Sequence, residues 1–349
     1  MSGIEHRRAP STRVSIPTAG CRLGSEAAGG NRAGAAGLAK GPAAKETGMN
    51  SGQGDIRIGV SGWTYAPWRG NFYPKGLVQK RELNFAASQF AALEINGTFY
   101  GLQRPEVFRK WVEATPDDFV FAVKGSRFIT HVKRLKEVRV PLANFLASGV
   151  LCLGTKLGPL LWQLQPSFRF DAGLIGDFLA LLPKDTAEAA RLARQHDERL
   201  DGRAVTSADA RRPLRHALEI RHDSFRTPEF VDLLRKHNIA LVCADTVKWP
   251  LLMDVTSDLV YCRLHGSSEL YRSRYSDDDL DRWAKRIRAW AEGRPMEDGA
   301  FVGADAAPVK PRDVFIFFDN TDKLHAPEDA RRLMERLDIH WHAQMVEAA

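Results

Sequence analysis

From Ile56 onward the chain alternates two kinds of hydrophobic pattern. Short runs of β-branched, aromatic and alanine residues read as buried strands, and the longer stretches between them place apolar residues every three or four positions, as amphipathic helices do. The short runs are residues 56–61, 93–96, 119–124, 160–165, 217–221, 239–245, 259–265 and 314–319. Several helical stretches carry start signals. Thr227-Pro228-Glu229 supplies an N-cap, a proline at the first helical position and an acid in the first turn, with Phe230, Val231, Leu233 and Leu234 on one face. Ser276 precedes three aspartates and then Leu280, Trp283, Ile287 and Trp290 at helical spacing. Pro105 and Pro327 open two more. Strands alternating with helices predict a parallel sheet covered by helices. Eight such units in about 300 residues predict the α/β class and a single (β/α)8 TIM-type barrel, with its chemistry at the C-terminal ends of the strands. An open doubly wound sheet is the alternative, and the lack of a Gly-x-Gly-x-x-Gly after the first strand weakens it. Residues 183–214 exceed what one crossover needs and predict an inserted helix and loop.

Composition narrows the class. The 349 residues are 44% hydrophobic and hold 50 Lys+Arg against 43 Asp+Glu, a globular balance that excludes collagenous, coiled-coil or wholly disordered chains. The longest purely apolar run, Ile239 to Ala244, is far short of the roughly 20 residues that cross a bilayer, so no membrane association is expected. Cys21, Cys152, Cys243 and Cys262 lie far apart, which argues against a disulfide framework or a thiolate zinc site and for a cytoplasmic location. Charge is uneven. Residues 1–48 hold seven basic and three acidic side chains among abundant Gly and Ala, with no aromatic, and are expected to be a disordered tail ahead of a barrel domain over 49–349. A nucleic-acid-binding arm or an organellar presequence would also suit such a tail, and so would a true start at Met49.

Polar residues collect where the strands end. Residues two apart share a face of a strand, so the inward pairs are expected to be Glu94 with Asn96, Gln163 with Gln165, Glu219 with Arg221, Cys243 with Asp245, and Arg263 with His265. Lys124, Ser61 and Asp319-Asn320 end three further strands. A purely structural barrel would place Val, Ile and Leu there. As chemistry, Glu94, Glu219 and His265 are the candidate proton carriers. Arg221 and Arg263 suit an anionic group, and Lys124 suits one too, or an imine. The bland counterpart is that Glu94 and Glu219 merely pair with Arg263 or Lys124 inside the barrel. His131 and His222 join the candidate ligand-binding set. No cofactor is expected. A divalent ion held by His265, Asp245, Glu219 and Glu94 is chemically conceivable, but no metal-binding spacing supports it. Trp63, in an aromatic-rich loop after the first strand, and Tyr100 after the second are candidates for stacking on a sugar or base, or else a hydrophobic plug.

Six ordered strings, Gly59-Val60-Ser61-Gly62-Trp63, Glu94-Ile95-Asn96-Gly97-Thr98-Phe99-Tyr100, Ile129-Thr130-His131, Gly158-Pro159 with Gln163-Leu164-Gln165-Pro166, Glu219-Ile220-Arg221-His222 and Arg263-Leu264-His265-Gly266, resemble the signature segments of the domain-of-unknown-function 72, or YecE-like, family. The resemblance spans roughly residues 56 to 337. It implies a TIM barrel and leaves the activity open. Where the family's eighth strand usually ends in an aromatic followed by Asn-Asn-Asp, this chain has Phe318-Asp319-Asn320-Thr321-Asp322, an acid in place of the first amide. The expected function is an isomerase- or hydrolase-type enzyme acting on a small polar, anionic ligand such as a sugar phosphate, sugar acid or nucleotide. The alternative is a non-catalytic sensor or a barrel that binds single-stranded nucleic acid.

Overall fold

The computed structural model describes residues 52–266, 273–296, 298–320, 325–341 and 343. The tail expected over residues 1–48 lies outside them. Eight parallel strands, β1 (Ile56–Ser61), β2 (Ala92–Ile95), β3 (Val120–Lys124), β4 (Leu157–Gln163), β5 (His216–Glu219), β6 (Ala240–Asp245), β7 (Leu259–Leu264) and β8 (Asp313–Phe318), pair in sequence order. β8 closes on β1, with Gly59 opposite Phe317. This is the predicted (β/α)8 barrel.

The barrel interior shows why these sequences close. Ala92, Ala122, Ala217, Ala240, Val242 and Ala244 face inward beside Leu161, Leu259, Tyr261, Phe315 and Phe317, so small residues from β2, β3, β5 and β6 leave room for the aromatics of β7 and β8. Gly59 takes the tightest position: a Cβ there would sit 1.8 Å from the Ala92 carbonyl oxygen. The opposite parity, including Ile58, Val60, Leu93, Phe121 and Val123, is buried beneath the helices.

The helices are α1 (Glu82–Gln89), α2 (Gly97–Tyr100), α3 (Pro105–Glu113), α4 (Arg139–Ala147), α5 (Ala172–Leu181), α6 (Thr186–Ala193), α7 (Pro228–His237), α8 (Asp277–Glu292) and α9 (Ala326–Arg336). Their start signals work as read. The Thr227 side chain accepts from the Phe230 amide, and Ser276 and Asp279 form a reciprocal capping box on α8. The insertion within 183–214 is α6 and a following 3-10 turn, Glu198–Leu200, with α6 packed on α4.

Two expectations are corrected. β6 turns Ala240, Val242 and Ala244 inward, so Cys243 and Asp245 point outward, because the slots beside Tyr261 and the β8 phenylalanines admit only small apolar groups. β5 ends at Glu219, so Arg221 lies just beyond the strand rather than on it.

Candidate functional site

At the C-terminal end of the barrel the inward residues form one charged network centred on Arg263. The strand carries its guanidinium to the barrel axis, where it is 1% exposed. Its Nε and Nη2 donate to the two oxygens of Glu94 at 3.0 and 2.9 Å, Nη1 donates to Glu219 at 2.7 Å, and Nη2 also donates to Asp319 at 2.9 Å and Ser61 at 3.1 Å. Glu94 also accepts from the Ser61 hydroxyl at 2.6 Å and the Tyr261 phenol at 2.8 Å. Asn96 donates to Ser61 Oγ at 2.9 Å. Glu219 Oε1 accepts from Gln163 at 2.9 Å and from Arg221 Nε at 2.7 Å. Ion pairs buried this deeply persist best when both carboxylate oxygens are hydrogen-bonded, and those of Glu94 and Glu219 are.

These contacts set the ionisation states. Burial opposes ionisation of Glu219, but Arg221 and Arg263, with His265 and Lys124 beyond them, hold its carboxyl well below the ordinary carboxylate range. Burial and the nearby Arg263 lower the His265 imidazole against the opposing pull of Asp319, whose Oδ2 lies 3.3 Å from Nδ1. Tyr261 is raised by burial and by Glu94, so its phenol stays protonated and donating.

Above this layer stand the cations that face the mouth. Lys124 ends β3 and is 8% exposed; its Nζ lies 4.5 Å from the centre of the Phe99 ring. Burial, then Arg263, lower it to about 8. Arg221 stacks on Trp249, its guanidinium carbon 4.1 Å from the ring centre, while Nε and Nη2 engage Glu219. His131 sits in a π-helical turn, Phe128–Val132, edge-on to Phe99, with Nδ1 2.9 Å from the Thr130 hydroxyl. Burial and the charges of Lys124, Arg221 and Arg127 lower it to about 4. The Thr98 hydroxyl donates to the Lys124 carbonyl at 2.7 Å, tying the start of α2 to the end of β3. A groove of about 530 Å³ begins beside the mouth, lined by Tyr100, Ser126, Arg127, Phe128 and Val132 among others.

The structure thus brings together Glu94, Asn96, Lys124, His131, Gln163, Glu219, Arg221, Arg263, His265 and Asp319. It places the other five predicted residues elsewhere. Asp245, on the outward parity of β6, accepts from the Trp283 indole of α8 at 3.0 Å, so the metal set that included it is not assembled. The convergence point of Glu94, Glu219 and Asp319 is filled by the Arg263 guanidinium, which leaves these carboxylates unfit to ligate a divalent ion. Trp63 packs edge-on against Trp111 of α3 and near Phe121, on the helix side of the sheet. Its loop neighbours Trp68, Phe72 and Tyr73 cluster with Phe85 and Phe90, so this aromatic segment completes the core rather than offering stacking faces. Asn320 turns its amide to the Ser273 carbonyl and to Asp329, fixing α9. His222 is spent at Nδ1, which accepts from the Ser224 amide at 3.0 Å. Tyr100, 73% exposed, stays on the rim.

Sequence reasoning named Ser61 only as a polar strand end and passed over two participants: Tyr261 shares the inward parity of its strand with Arg263 and was discoverable by it, whereas Trp249, on the loop after β6, has no local signal.

A closed parallel barrel whose strand ends converge on a charge network, with cations facing the mouth, is the architecture of a (β/α)8 protein with its polar residues gathered at the C-terminal face. The chain belongs to the family described as protein of unknown function DUF72, whose model matches residues 57–348. It is similar to the UPF0759 protein YunF of Bacillus subtilis, 21% identical over 82% of this chain and 96% of that protein, and to YecE of Escherichia coli K12, 31% identical over 32% of this chain and 39% of that one. Among solved structures, a DUF72 family protein from Thermotoga maritima matches with a TM-score of 0.61 at 23% identity, covering 81% of this chain and 99% of the other. One from Enterococcus faecalis matches at 0.56 and 18%, covering 83% and 100%. These likenesses establish the fold. Among the described residues no helix is long and apolar enough to cross a membrane.

Proposed function

We propose that this barrel is an enzyme of isomerase or hydrolase type that binds a small anionic molecule, such as a sugar phosphate, sugar acid or nucleotide, at its C-terminal mouth. The observation that carries the reading is Lys124. Among the described residues its buried ammonium makes neither an ion pair nor a side-chain hydrogen bond, only the Phe99 contact. A buried charge without a directly paired counter-ion is costly, and an anionic ligand supplies one. Arg221 adds Nη1, which Glu219 does not use.

The roles divide by hydrogen-bond capacity. Glu94 accepts four hydrogen bonds and Glu219 three, so in this reading they position Arg263 and Arg221. Proton transfer falls to His265 and His131, both held toward their neutral forms and therefore able to accept a proton near neutral pH. The alternative of a single-strand-binding barrel needs several stacking faces at the mouth, and the first-loop aromatics are committed to the core, which leaves Tyr100 on the rim.

Thermal-shift curves against sugar phosphates, sugar acids and nucleotides test the proposal, since a ligand that excludes the unfolded chain raises the melting temperature by mass action. Stabilisation by one anionic class, lost in Arg221→Ala and diminished in Lys124→Met, is the expected result. Stabilisation by none of the three classes overturns the reading.

A further inference from the structure

We infer that Lys124 is a carbonyl-reactive amine, and that the ligand of this mouth is a small aldehyde or ketone bearing an acidic group, which Lys124 captures as an imine. This rests on the anion-binding reading above and adds the chemical class of the ligand and a covalent role for one residue.

The argument begins with a contrast inside the molecule. Lys156 is also buried, and the fold treats it as a structural lysine: its Nζ donates to the Val112 carbonyl at 2.8 Å, the Thr115 carbonyl at 2.7 Å and the Thr115 hydroxyl at 3.2 Å, one acceptor for each N–H. Lys124 is buried to a similar degree, yet none of the described residues accepts a hydrogen bond from it. The anions that might have done so, Glu94, Glu219 and Asp319, are drawn to Arg263. The barrel therefore holds an amine on its inner face at the catalytic end and withholds the acceptors that would fix it as an ammonium.

The surroundings suit addition to a carbonyl. With Lys124 lowered to about 8, about a tenth of the amine is neutral and nucleophilic at pH 7, far more than for an ordinary lysine. The Phe99 ring face that now meets the ammonium would meet the iminium equally well. Arg221 Nη1 is available for the acidic group, and the groove that starts at Ser126, two residues past Lys124, gives a longer ligand room to extend.

The step balances without any redox partner. The Nζ lone pair forms a bond to the carbonyl carbon as the C=O π pair moves to oxygen, and a proton passes from nitrogen to that oxygen, giving a carbinolamine. A second proton, supplied by solvent, lets the oxygen leave as water while the nitrogen lone pair closes the C=N bond. The sum is amine plus carbonyl to imine plus water.

The test uses the full chain with two probe aldehydes, glyoxylate and uncharged formaldehyde, each with sodium cyanoborohydride near neutral pH. Peptide mass mapping then compares the modification rate of Lys124 with those of the exposed Lys75 and Lys80. Glyoxylate is expected to modify Lys124 about tenfold faster than the exposed lysines, with the preference reduced in Arg221→Ala and no adduct at position 124 in Lys124→Arg. If Lys124 reacts no faster than Lys75 and Lys80 with either aldehyde, the inference is overturned, and the thermal-shift result alone then decides the anion reading. If formaldehyde prefers Lys124 and glyoxylate does not, the reactive amine stands and the acidic ligand falls.

Discussion

Arg263 and Lys124 are two cations on the inner face of one barrel with opposite energetics. Arg263 is matched by three carboxylates, so removing it strands buried negative charge. Arg263→Met is expected to destabilise the protein by about 3–5 kcal/mol, read from urea denaturation. Lys124 has no directly paired carboxylate, so its charge is a cost to the ligand-free fold. Lys124→Met, which keeps packing on Phe99, is expected to stabilise the ligand-free protein by about 1–3 kcal/mol. The sign of its pH dependence follows. Lys124 titrates near 8 in the native state and near about 10.4 when unfolded, so the unfolded chain binds the extra proton between those values. Wild-type stability therefore gains as pH rises through that window. The advantage of Lys124→Met is full below pH 8 and shrinks above it; an advantage that grows with pH would contradict this account.

At the scale of elements, local chemistry and tertiary constraint separate cleanly in β6 and α8. Ser276, Asp279 and Gly293 bound α8 by rules visible in the sequence, and Ser276→Ala is expected to cost about 1 kcal/mol in thermal or chemical unfolding by removing the N-cap acceptor. The parity of β6 was not visible that way. Its residues Leu241, Val242, Cys243 and Ala244 are apolar on both faces, as buried parallel strands are, so alternation cannot say which face is inside. The terminal Asp245 pointed to the wrong choice, and the correct one follows from partners distant in sequence: Tyr261, Phe315 and Phe317 fill the interior, and Trp283 of α8 offers an indole N–H outside. The same holds for Trp63, whose place is set by Trp111 and Phe121. The same assumption, that the terminal polar residue points inward, held for Glu94, Lys124 and Glu219, whose strands are as apolar on both faces, because their inward neighbours Ala92, Ala122 and Ala217 are the small residues the interior accepts.

At the scale of the whole molecule, closure of the barrel brings eight strand ends to one mouth and makes the layered charge arrangement possible. That arrangement gives the ligand response a pH dependence. The Lys124 ammonium is present below about 8 and lost above it, so stabilisation by an anionic ligand is expected to be full at pH 7 and to fall as the solution passes pH 8. Melting temperatures with and without ligand across that range check it, and a response that strengthens above pH 8 would contradict the role given to Lys124. The sequence by itself determined the strand and helix alternation, the barrel class, the caps and most of the polar residues at the mouth, because periodicity, turn chemistry and strand parity are local properties. Only the tertiary structure decided that Glu94, Glu219 and Asp319 would meet on Arg263, and that Lys124 would be left without an ion pair at the mouth. Those pairings join residues as far apart as Ser61 and Arg263, and which carboxylate reaches which cation depends on closure and register in three dimensions rather than on spacing along the chain.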